Sequence, residues 1–304
     1  MKTGQSGVAI VLAMGVVAMA AIAATAMMVT QSTWSRHNQL GTDHVQAQAL
    51  LQVGVDWTRA LLGDDRRRSN VDTLAEPWAL RLPPIPVENG SLAGSIEDQQ
   101  GRFNLNNLAK DGKVNPAQLA HFEALLSILG LPPELGDALV DWIDADDRPQ
   151  PQGGAEDAFY LALPSPHLAA NQPLMDVAEL ALVRGFDDGV RLRLRPFVSA
   201  LPVFTAVNVN TAAPEVIAAV VDGLDLDGAR ALVERRQRSY LRDRSDFQSQ
   251  LPSGARAAPE DVSFGSNYFL VHLRVSVGDA EARSEALLAR TDAGWPAIVW
   301  RKML

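Results

Sequence analysis

The chain contains no cysteine, which excludes disulfide bonds, thiol catalysis, thiolate metal sites and a lipid anchor attached to cysteine. It also lacks the Gly-x-Ser-x-Gly elbow, the phosphate-binding Walker loop and the His-Glu-x-x-His zinc motif. The five histidines are scattered, and we expect them to be structural or solvated: His37, His44, His121, His167 and His272. These absences predict that the protein is not an enzyme and works by assembling with other proteins.

Length and charge narrow the fold and the partners. The chain has 304 residues, of which 47% are hydrophobic, enough for one large domain or two modest ones with a substantial core. Its formal net charge is −9. An acidic chain is repelled by nucleic-acid phosphates unless it gathers a local basic patch. The same excess of carboxylates suits hard cations such as calcium.

A long apolar run follows a short polar leader at the N-terminus. Residues 8–29 carry no charge, and at about 1.5 Å per residue they reach about 33 Å, enough to cross a hydrocarbon core of about 30 Å. Lys2 favours a cytoplasmic N-terminus and an exported C-terminal bulk. A cleavable signal peptide is the competing interpretation, because Ala24-Thr25-Ala26 has the pattern of a cleavage site. Against it, the helical pattern continues towards Gly63 through Leu40, Ala47, Leu51, Gly54, Trp57 and Leu61.

Strand-like sequence flanks a long middle region. Asn89-Gly90 predicts a two-residue hairpin turn, because both residues tolerate positive φ. Alternating apolar residues over 269–277 predict a half-buried strand, which the turn Gly278-Asp279 would end. The predicted strands are 85–88, 92–98, 102–105, 269–277, 282–288 and 297–300.

The middle region, residues 108–266, has the signals of helices. Proline at first turns, a capping-box pattern at Asp176 and Glu179, and a predicted cap at Thr211 mark the starts, while Gly130, Gly185 and Gly223 mark the ends. The predicted helices are 117–129, 134–143, 177–183, 212–221 and 226–240. The simplest architecture is α+β: a long N-terminal transmembrane and amphipathic helix packed on a small antiparallel sheet, with a large helical domain inserted between the strands.

One irregular segment concentrates carboxylates. Between residues 141 and 157 lie six acidic side chains and one base, Arg148. Calcium takes about six to eight oxygen ligands and suits such irregular loops. The spacing is not that of an EF-hand, because Arg148, Pro149 and Ala155 would occupy its ligand, glycine and glutamate positions. From the residues alone, a solvated acidic loop and a calcium site both stay open.

A second segment resembles one helix-hairpin-helix unit of the DNA-binding kind. It runs from Asn208-Val209-Asn210-Thr211 past Gly223 into a basic helix. Such units grip phosphate with hairpin amides, but Asp225 and Asp227 stand in this hairpin and would repel it. We therefore expect a packing module with solvated arginines at Arg230, Arg235, Arg236, Arg238, Arg242 and Arg244.

Six short segments together resemble one family in order and spacing. They are Gly7 followed by Val8-Ala9-Ile10-Val11-Leu12, then Gln100-Gly101-Arg102-Phe103-Asn104-Leu105-Asn106, Asp141-Trp142-Ile143-Asp144, Gly154-Ala155-Glu156-Asp157, Ala170-Asn171-Gln172-Pro173 and Asn208-Val209-Asn210-Thr211. The resemblance is to the K-type minor pseudopilins of type II secretion, and it spans nearly the whole chain. It implies a prepilin leader at 1–7, a transmembrane helix at 8–30, a pilin-like core at 31–108 and 266–304, and an inserted helical domain at 109–265.

The resemblance also implies a function. Prepilin peptidase would cut between Gly7 and Val8, and the new N-terminus would be methylated. The protein would be held in the inner membrane by one span, with its bulk in the periplasm. It would assemble with the I-type and J-type minor pseudopilins and the major pseudopilin at the pseudopilus tip. Pilins usually carry Glu at the fifth mature position, and Leu12 fits the K type, which lacks it.

Family resemblance also favours calcium, as a structural ion in the helical domain. The candidate ligands are Asp144, Asp146, Glu156 and Asp157, with Asn171 as a further candidate. Two alternatives belong to other classes: a membrane-anchored DNA-binding protein of competence type, and an exported hydrolase with an unrecognised site.

The first prediction concerns processing. Cleavage should fall between Gly7 and Val8, because a small residue there precedes the uncharged helix at the cytoplasmic face. Gly7→Ala should block or slow maturation. N-terminal sequencing of the mature wild-type chain should begin at Val8. A mature chain beginning near residues 25–28 would instead establish the signal-peptide interpretation.

Overall fold

The computed structural model describes residues 5–291 and 294–304, so residues 1–4 of the predicted leader lie outside the described residues. Its first element is the helix α1, Gln5–Arg68, whose backbone includes Gly7 and Val8. An 18-residue window of this helix has a mean hydropathy of 2.4, and none of that window is buried. The helix is thus long and apolar enough to cross a membrane, as its uncharged sequence predicts.

The C-terminal part of α1 packs on a five-stranded antiparallel sheet in the order β1-β2-β9-β10-β11. Alternate residues of β9 from Phe269 to Val277 are buried against Ala47, Leu51 and Val55 of the helix, which confirms the predicted alternation. The strands of this sheet are β1 Leu82–Val87, β2 Gly90–Asp98, β9 Tyr268–Val277, β10 Ala280–Ala289 and β11 Ala297–Met303.

Two turns of the sheet were predicted from the sequence, at residues 89–90 and 278–279. Gly278-Asp279 connects Val277 to Ala280, as predicted. The first hairpin is centred one residue earlier than predicted, because Val87 pairs with Gly90 and leaves Glu88-Asn89 as the turn. Asn89 takes the positive φ of 59°. Gly90 is needed for another reason: a Cβ there would lie 1.8 Å from the carbonyl oxygen of Ser276 on β9.

Residues between β2 and β9 form a helical unit with its own hydrophobic core. The glycines at 130, 185 and 223 all adopt positive φ, as their predicted role at helix ends requires. The helices are α2 Pro116–Ile128, α3 Leu135–Ile143, α4 Asp157–Tyr160, α5 Asp188–Leu194, α6 Pro214–Val220, α7 Leu226–Arg238 and α8 Arg244–Gln250. Short strands occur at β3 Phe103–Asn104, β4 Ala109–Lys110, β5 Lys113–Val114, β6 Val198–Ser199, β7 Val207–Asn208 and β8 Val262–Ser263.

Three local expectations are wrong. Thr211 does not cap α6, which begins at Pro214; its hydroxyl donates to Asp98 Oδ2 at 2.6 Å instead. The segment 177–183 forms a 3₁₀ helix, Val177–Leu182, although the predicted capping box at its start is present. Only two residues of 102–105 form a strand, and they pair in parallel with β6 rather than with the main sheet. Buried asparagines explain why this segment leaves the main sheet. The side-chain amide of Asn104 binds the backbone of residues 201 and 203, and that of Asn106 binds the backbone of residues 174 and 201.

One buried cation joins the end of α1 to the sheet. The side chain of Arg290, at the end of β10, is fully buried. Its guanidinium donates to Asp65 Oδ2 at 2.8 Å and to Asp72 Oδ2, and it stacks on the ring of Phe269 at 4.8 Å. It also donates to the carbonyl of Ser266 at 2.6 Å. This single side chain therefore fixes the C-terminal end of α1 and the segment that leaves it.

The same network continues into the helical unit. Asn208 donates to the carbonyl of Asp72 at 3.2 Å, to Asp98 Oδ2 at 3.1 Å and to the Ser266 hydroxyl at 2.9 Å. Thr211 and Ser266 each donate to Asp98 Oδ2 at 2.6 Å. Burial raises the pKa of Asp98, and these donors counteract that shift. The junction between sheet and helical unit is thus a closed hydrogen-bond network around two buried carboxylates.

The second prediction follows from this network. Arg290→Met should lower the free energy of unfolding by roughly 3–5 kcal/mol, because it leaves the buried Asp72 and the partly buried Asp65 without their cation. The matched control is Arg274→Met, which removes an ion pair to Glu281 from a side chain that is 61% exposed. That change should cost far less, because solvent screens an exposed ion pair. Chemical denaturation of the full chain in detergent measures both, and equal losses would contradict the role given to Arg290.

Candidate metal centre

The acidic segment begins on a helix that is buried along its whole length. Every residue of α3, Leu135–Ile143, is buried, including Asp137 and Asp141. Asp141 accepts hydrogen bonds from the backbone N–H of Gln150 at 3.1 and 3.2 Å, and Asp137 accepts one from Gln152 at 2.9 Å. The two carboxylates lie one helical turn apart, so they hold the following loop against the helix.

Two glycines let the loop approach this closely. A Cβ on Gly154 would lie 2.2 Å from Asp141 Oδ2, and one on Gly153 would lie 2.5 Å from the carbonyl oxygen of Glu134. The loop therefore returns over α3 with no room for side chains at these positions. Glu156 follows immediately and serves as the N-terminal boundary residue of α4.

Three carboxylates converge where the loop closes. Asp144, Asp146 and Glu156 each offer an oxygen, and these oxygens lie within 4.8 Å of one another. Asp144 is 1% exposed and Glu156 is 7% exposed. Both side-chain oxygens of Asp144 and Oε1 of Glu156 are buried without a hydrogen-bond partner among the described residues. Burying carboxylate oxygens without partners is energetically costly. The arrangement therefore favours binding of a cation by these oxygens.

The raised pKa values of these carboxyl groups also favour a bound cation. Burial, with the charges of Asp146 and Asp141, raises the pKa of Asp144 to about 6. Burial, with the charges of its acidic neighbours, raises the pKa of Glu156 to about 7. Burial also raises the pKa of Asp141 to about 6. The group thus resists carrying its full negative charge in the absence of a compensating cation.

These residues fit a hard cation. Two oxygens bound to one calcium ion at about 2.3–2.6 Å can be at most about 5 Å apart, and the three oxygens meet that condition. When bound, calcium would supply the positive charge that the site lacks, and Asp144, Asp146 and Glu156 would hold it. Further oxygens would come from backbone carbonyls or water.

The two other predicted ligands, Asp157 and Asn171, make contacts beside this group. Asp157 Oδ1 accepts a hydrogen bond from the backbone N–H of Ala169 at 2.9 Å. Asn171 is exposed with φ 46°, and its backbone N–H donates to the carbonyl of Trp142 at 2.9 Å. Both residues therefore tie the 169–171 segment to the site. Sequence analysis did not identify Asp137 and Asp141 as loop anchors, although acidic residues four apart in an apolar helix were a usable signal.

A second group of clustered carboxylates has its negative charge compensated by an arginine. Oxygens of Asp65, Asp72 and Glu76 also lie within 4.8 Å of one another. Burial and the neighbouring Glu76 and Asp72 raise the pKa of Asp65 to about 6. There Arg290 already supplies a cation to two of the three carboxylates. The loop group at Asp144 has no such basic partner among residues 5–291 and 294–304.

The helix-hairpin-helix segment is occupied by internal contacts. Asp225 accepts a hydrogen bond from the N–H of Gly228 at 2.8 Å, so a carboxylate uses the hairpin amide. Arg236 is not solvated as expected; it is partly buried and donates to the carbonyl of Val209. Arg235 and Arg244 likewise donate to backbone carbonyls, at residues 250, 257 and 259. Arg230, Arg235, Arg238 and Arg242 are exposed, as expected. The segment packs the helical unit, and Asp225 already uses the amide of Gly228 that a phosphate would need.

An exposed apolar N-terminal helix, a sheet packed along its distal part and a helical unit between two strands of that sheet define a pilin-like protein with an inserted domain. The sequence profile of the family described as "Type II secretion system (T2SS), protein K" matches residues 101–203 and 207–265. Type II secretion system protein K of Pseudomonas aeruginosa is 36% identical over 100% of this chain and 94% of its own. That of Klebsiella pneumoniae is 32% identical over 95% of this chain and 94% of its own.

The fold has a solved counterpart. A chain in the crystal structure of the GspK-GspI-GspJ complex from the enterotoxigenic Escherichia coli type 2 secretion system superposes with a TM-score of 0.72 at 24% identity. The superposition covers 88% of this chain and 99% of that one. The chain belongs to the protein K family of the type II secretion system and is a minor pseudopilin. None of these comparisons supports the DNA-binding alternative.

Proposed function

We propose that the protein stands at the tip of a periplasmic pseudopilus, anchored in the inner membrane until assembly, with a structural rather than catalytic role. The observation that carries this is the position of the helical unit. Asn208 and Ser266 of this unit bind Asp72, in the segment that follows α1, and Arg290 joins Asp72 to Asp65. Asp65 is 36 residues beyond residue 29, about 54 Å past the apolar run at 1.5 Å per residue. The β9–β10 turn at Gly278 lies instead beside Asp43, nearer the membrane.

This placement favours the tip because of its bulk. The unit between β2 and β9 occupies the membrane-distal end of the molecule, where the next subunit of a regular helical stack would need room. At the end of a filament nothing has to fit above it. The same unit therefore suits a subunit that caps the pseudopilus and is poorly suited to its shaft.

Leu12 supports the same position. A carboxylate in the bilayer costs on the order of 2.5–3.5 kcal/mol by insertion scales, so it is retained where a partner compensates it. In pilin-type assembly, that partner would be the N-terminal amine of a subunit already present. The first subunit has no predecessor, and an apolar side chain at this position avoids the cost. Leu12 thus suits the subunit that initiates the filament.

We propose that the partners are the I-type and J-type minor pseudopilins and, below them, the major pseudopilin. A solved relative of this fold is titled as a complex of three proteins, GspK, GspI and GspJ. Processing by prepilin peptidase after Gly7 and methylation of Val8 would precede assembly.

Calcium is proposed as the structural ion of the loop that joins α3 to α4. By neutralising Asp144, Asp146 and Glu156, it would fix the loop that is already clamped by Asp137 and Asp141. The helical unit would then keep one shape at the filament end. Its role would be stability and shape, since the loop carries no group positioned for catalysis in the described residues.

The third prediction tests this ion by pH and chelation. The raised folded pKa values of Asp144 and Glu156 mean that protonation stabilises the metal-free fold, and that this contribution is lost as pH rises through about 6 to 7. In chelator, the melting temperature should therefore fall between pH 5 and 7.5. Calcium at about 100 times its Kd should restore about 2.7 kcal/mol at pH 7.5, with little effect at pH 5.

Matched variants separate the site from general effects. Asp144→Asn with Glu156→Gln mimics the protonated forms, so it should melt at or above the wild type in chelator at pH 7.5 and gain nothing from calcium. Asp147→Asn changes an exposed carboxylate in the same loop and should behave as the wild type. Absence of bound metal by elemental analysis, with unchanged melting in chelator, would show a merely solvated loop.

The fourth prediction tests the tip. The chain should co-purify from membranes in a small defined complex with the I-type and J-type minor pseudopilins. Immunogold labelling of overproduced pseudopili should mark one end. Leu12→Glu should leave secretion unimproved or make it worse, because it adds an uncompensated carboxylate to the span. Label spaced along the shaft would refute the tip position.

A further inference from the structure

A polar cleft opens beside α1 just past the apolar run. Its wall on the helix is one stripe of side chains, because residues three or four apart on a helix lie on the same face. The turn between β9 and β10 closes the cleft at the end away from the apolar run. The cavity measures about 380 Å³, and its polar side chains are Ser32, Ser35, Arg36, Gln39, Asp43 and Asp279.

The charges of this cleft lack partners within the chain. No residue between Lys2 and Arg36 carries a formal charge, so Arg36 is the first charge after the apolar run. Its side chain is exposed and makes no hydrogen bond or ion pair among residues 5–291 and 294–304. The carboxylates of Asp43 and Asp279 likewise have no such partner in the described part of the chain. The cleft therefore presents one cation and two anions to a ligand.

These charges are ordered along the helix. Arg36 precedes Asp43 by seven residues, a rise of about 10 Å. The Asp43 carboxylate lies against the β9–β10 turn, since a Cβ on Gly278 would be 2.4 Å from its Oδ2. Only glycine allows this approach, and Asp279 follows it directly. The cleft is thus positive at the end near the apolar run and negative at the end under the turn.

Height above the apolar run places the positive end among lipid headgroups. Arg36 is about 10 Å beyond Val29, and helical side chains lean towards the N-terminus, so its guanidinium reaches back towards the run. The headgroup layer extends about 5–7 Å on each side of the hydrocarbon core. Trp34, on another face of α1, is 67% exposed at this level. Exposed tryptophan is typical of the membrane interface, which supports the same placement.

We infer that this cleft binds the headgroup of one phospholipid of the surrounding membrane, with the phosphate on Arg36 and an ammonium group on Asp43 and Asp279. The inference rests on the proposed function, because it requires residues 8–29 to span the membrane. The guanidinium of Arg36 would donate to the phosphate oxygens, and the exposed hydroxyl of Ser35 would add a donor. A phosphoethanolamine group, with a charge-assisted hydrogen bond of about 2.8 Å at each end, can span the rise from Arg36 to Asp43.

The order of charges selects the class of lipid. A glycerol headgroup carries no cation for Asp43 and Asp279, and its phosphate would be repelled by both carboxylates. A choline headgroup carries a quaternary ammonium, which has no N–H to donate. An ethanolamine headgroup satisfies both ends of the cleft. Held between α1 and the β9–β10 turn, such a lipid would fix the height of the folded part of the chain above the bilayer.

Native mass spectrometry of the full chain tests this site. The chain is released from nanodiscs that contain equal parts of phosphatidylethanolamine, phosphatidylglycerol and phosphatidylcholine, and the wild type should retain the ethanolamine lipid preferentially. Arg36→Gln should lower that retention about fivefold. Asp43→Asn with Asp279→Asn should abolish the preference for ethanolamine over glycerol, which a merely structural role would not change. Arg67→Gln is the matched control, since Arg67 is 73% exposed on the same helix far from the cleft.

Two further measurements decide between the outcomes. The melting temperature of each variant establishes that it is folded. Free phosphoethanolamine in the buffer should leave the lipid bound, and displacement by it would overturn the assignment to a membrane lipid. Equal retention of the three lipids by the wild type, or an unchanged lipid profile in the folded cleft variants, would overturn the inference and leave the membrane anchor intact. A chain that does not enter nanodiscs would overturn both.

Discussion

The burial of Arg290 is the constraint on which the rest of the fold depends. Its guanidinium lies under the end of α1 and shares its charge between Asp65 and Asp72, while the ring of Phe269 covers its face. Removing either acidic partner would leave the buried cation with one carboxylate, and removing the cation would leave the buried Asp72 and the partly buried Asp65 uncompensated. The network that continues through Asp98 and Asn208 carries this constraint into the helical unit. The membrane helix, the sheet and the inserted unit are therefore fixed to one another by electrostatics as well as by apolar packing.

The acidic groups at Asp65 and at Asp144 both bring carboxylates close together, and their negative charge is balanced in different ways. At the end of α1 the chain supplies its own cation, so the junction is complete without a ligand. At the loop after α3 it supplies backbone amides to Asp137 and Asp141 but nothing to Asp144. The junction at Arg290 uses side chains of the chain itself, so its charge balance needs no ion from the medium. A loop that completes its charge with an ion depends instead on the medium, and the calcium concentration of the periplasm would then set its stability.

The sequence predicted the elements that local chemistry controls. Alternation in β9 and helix ends at Gly130, Gly185 and Gly223 depend on side-chain period and positive φ, so they were visible in one dimension. The features that were missed depend on distant pairing. The sequence around Thr211 resembles a helix cap, but its hydroxyl donates a hydrogen bond to Asp98, more than 100 residues earlier. Arg290 has no local signal at all, since its partners Asp65 and Asp72 are more than 200 residues away. The acidic loop lies between these cases: composition located it, but only the fold shows that Asp144, Asp146 and Glu156 converge and that Asp157 binds the N–H of Ala169.

Capping and nucleation would follow from one asymmetry of this molecule. In the proposed orientation the inserted unit would lie at the membrane-distal end, so growth beyond it would be obstructed. The off-centre position of α1 leaves an apolar groove between this helix and β1–β2. A subunit obstructed at its distal end could begin a filament but could not be extended past itself. Rigid attachment at Arg290 matters for both the inserted unit and the groove, because the groove wall formed by Trp78 follows directly from the segment that Asp72 anchors. Loosening that anchor would disturb the cap and the groove together.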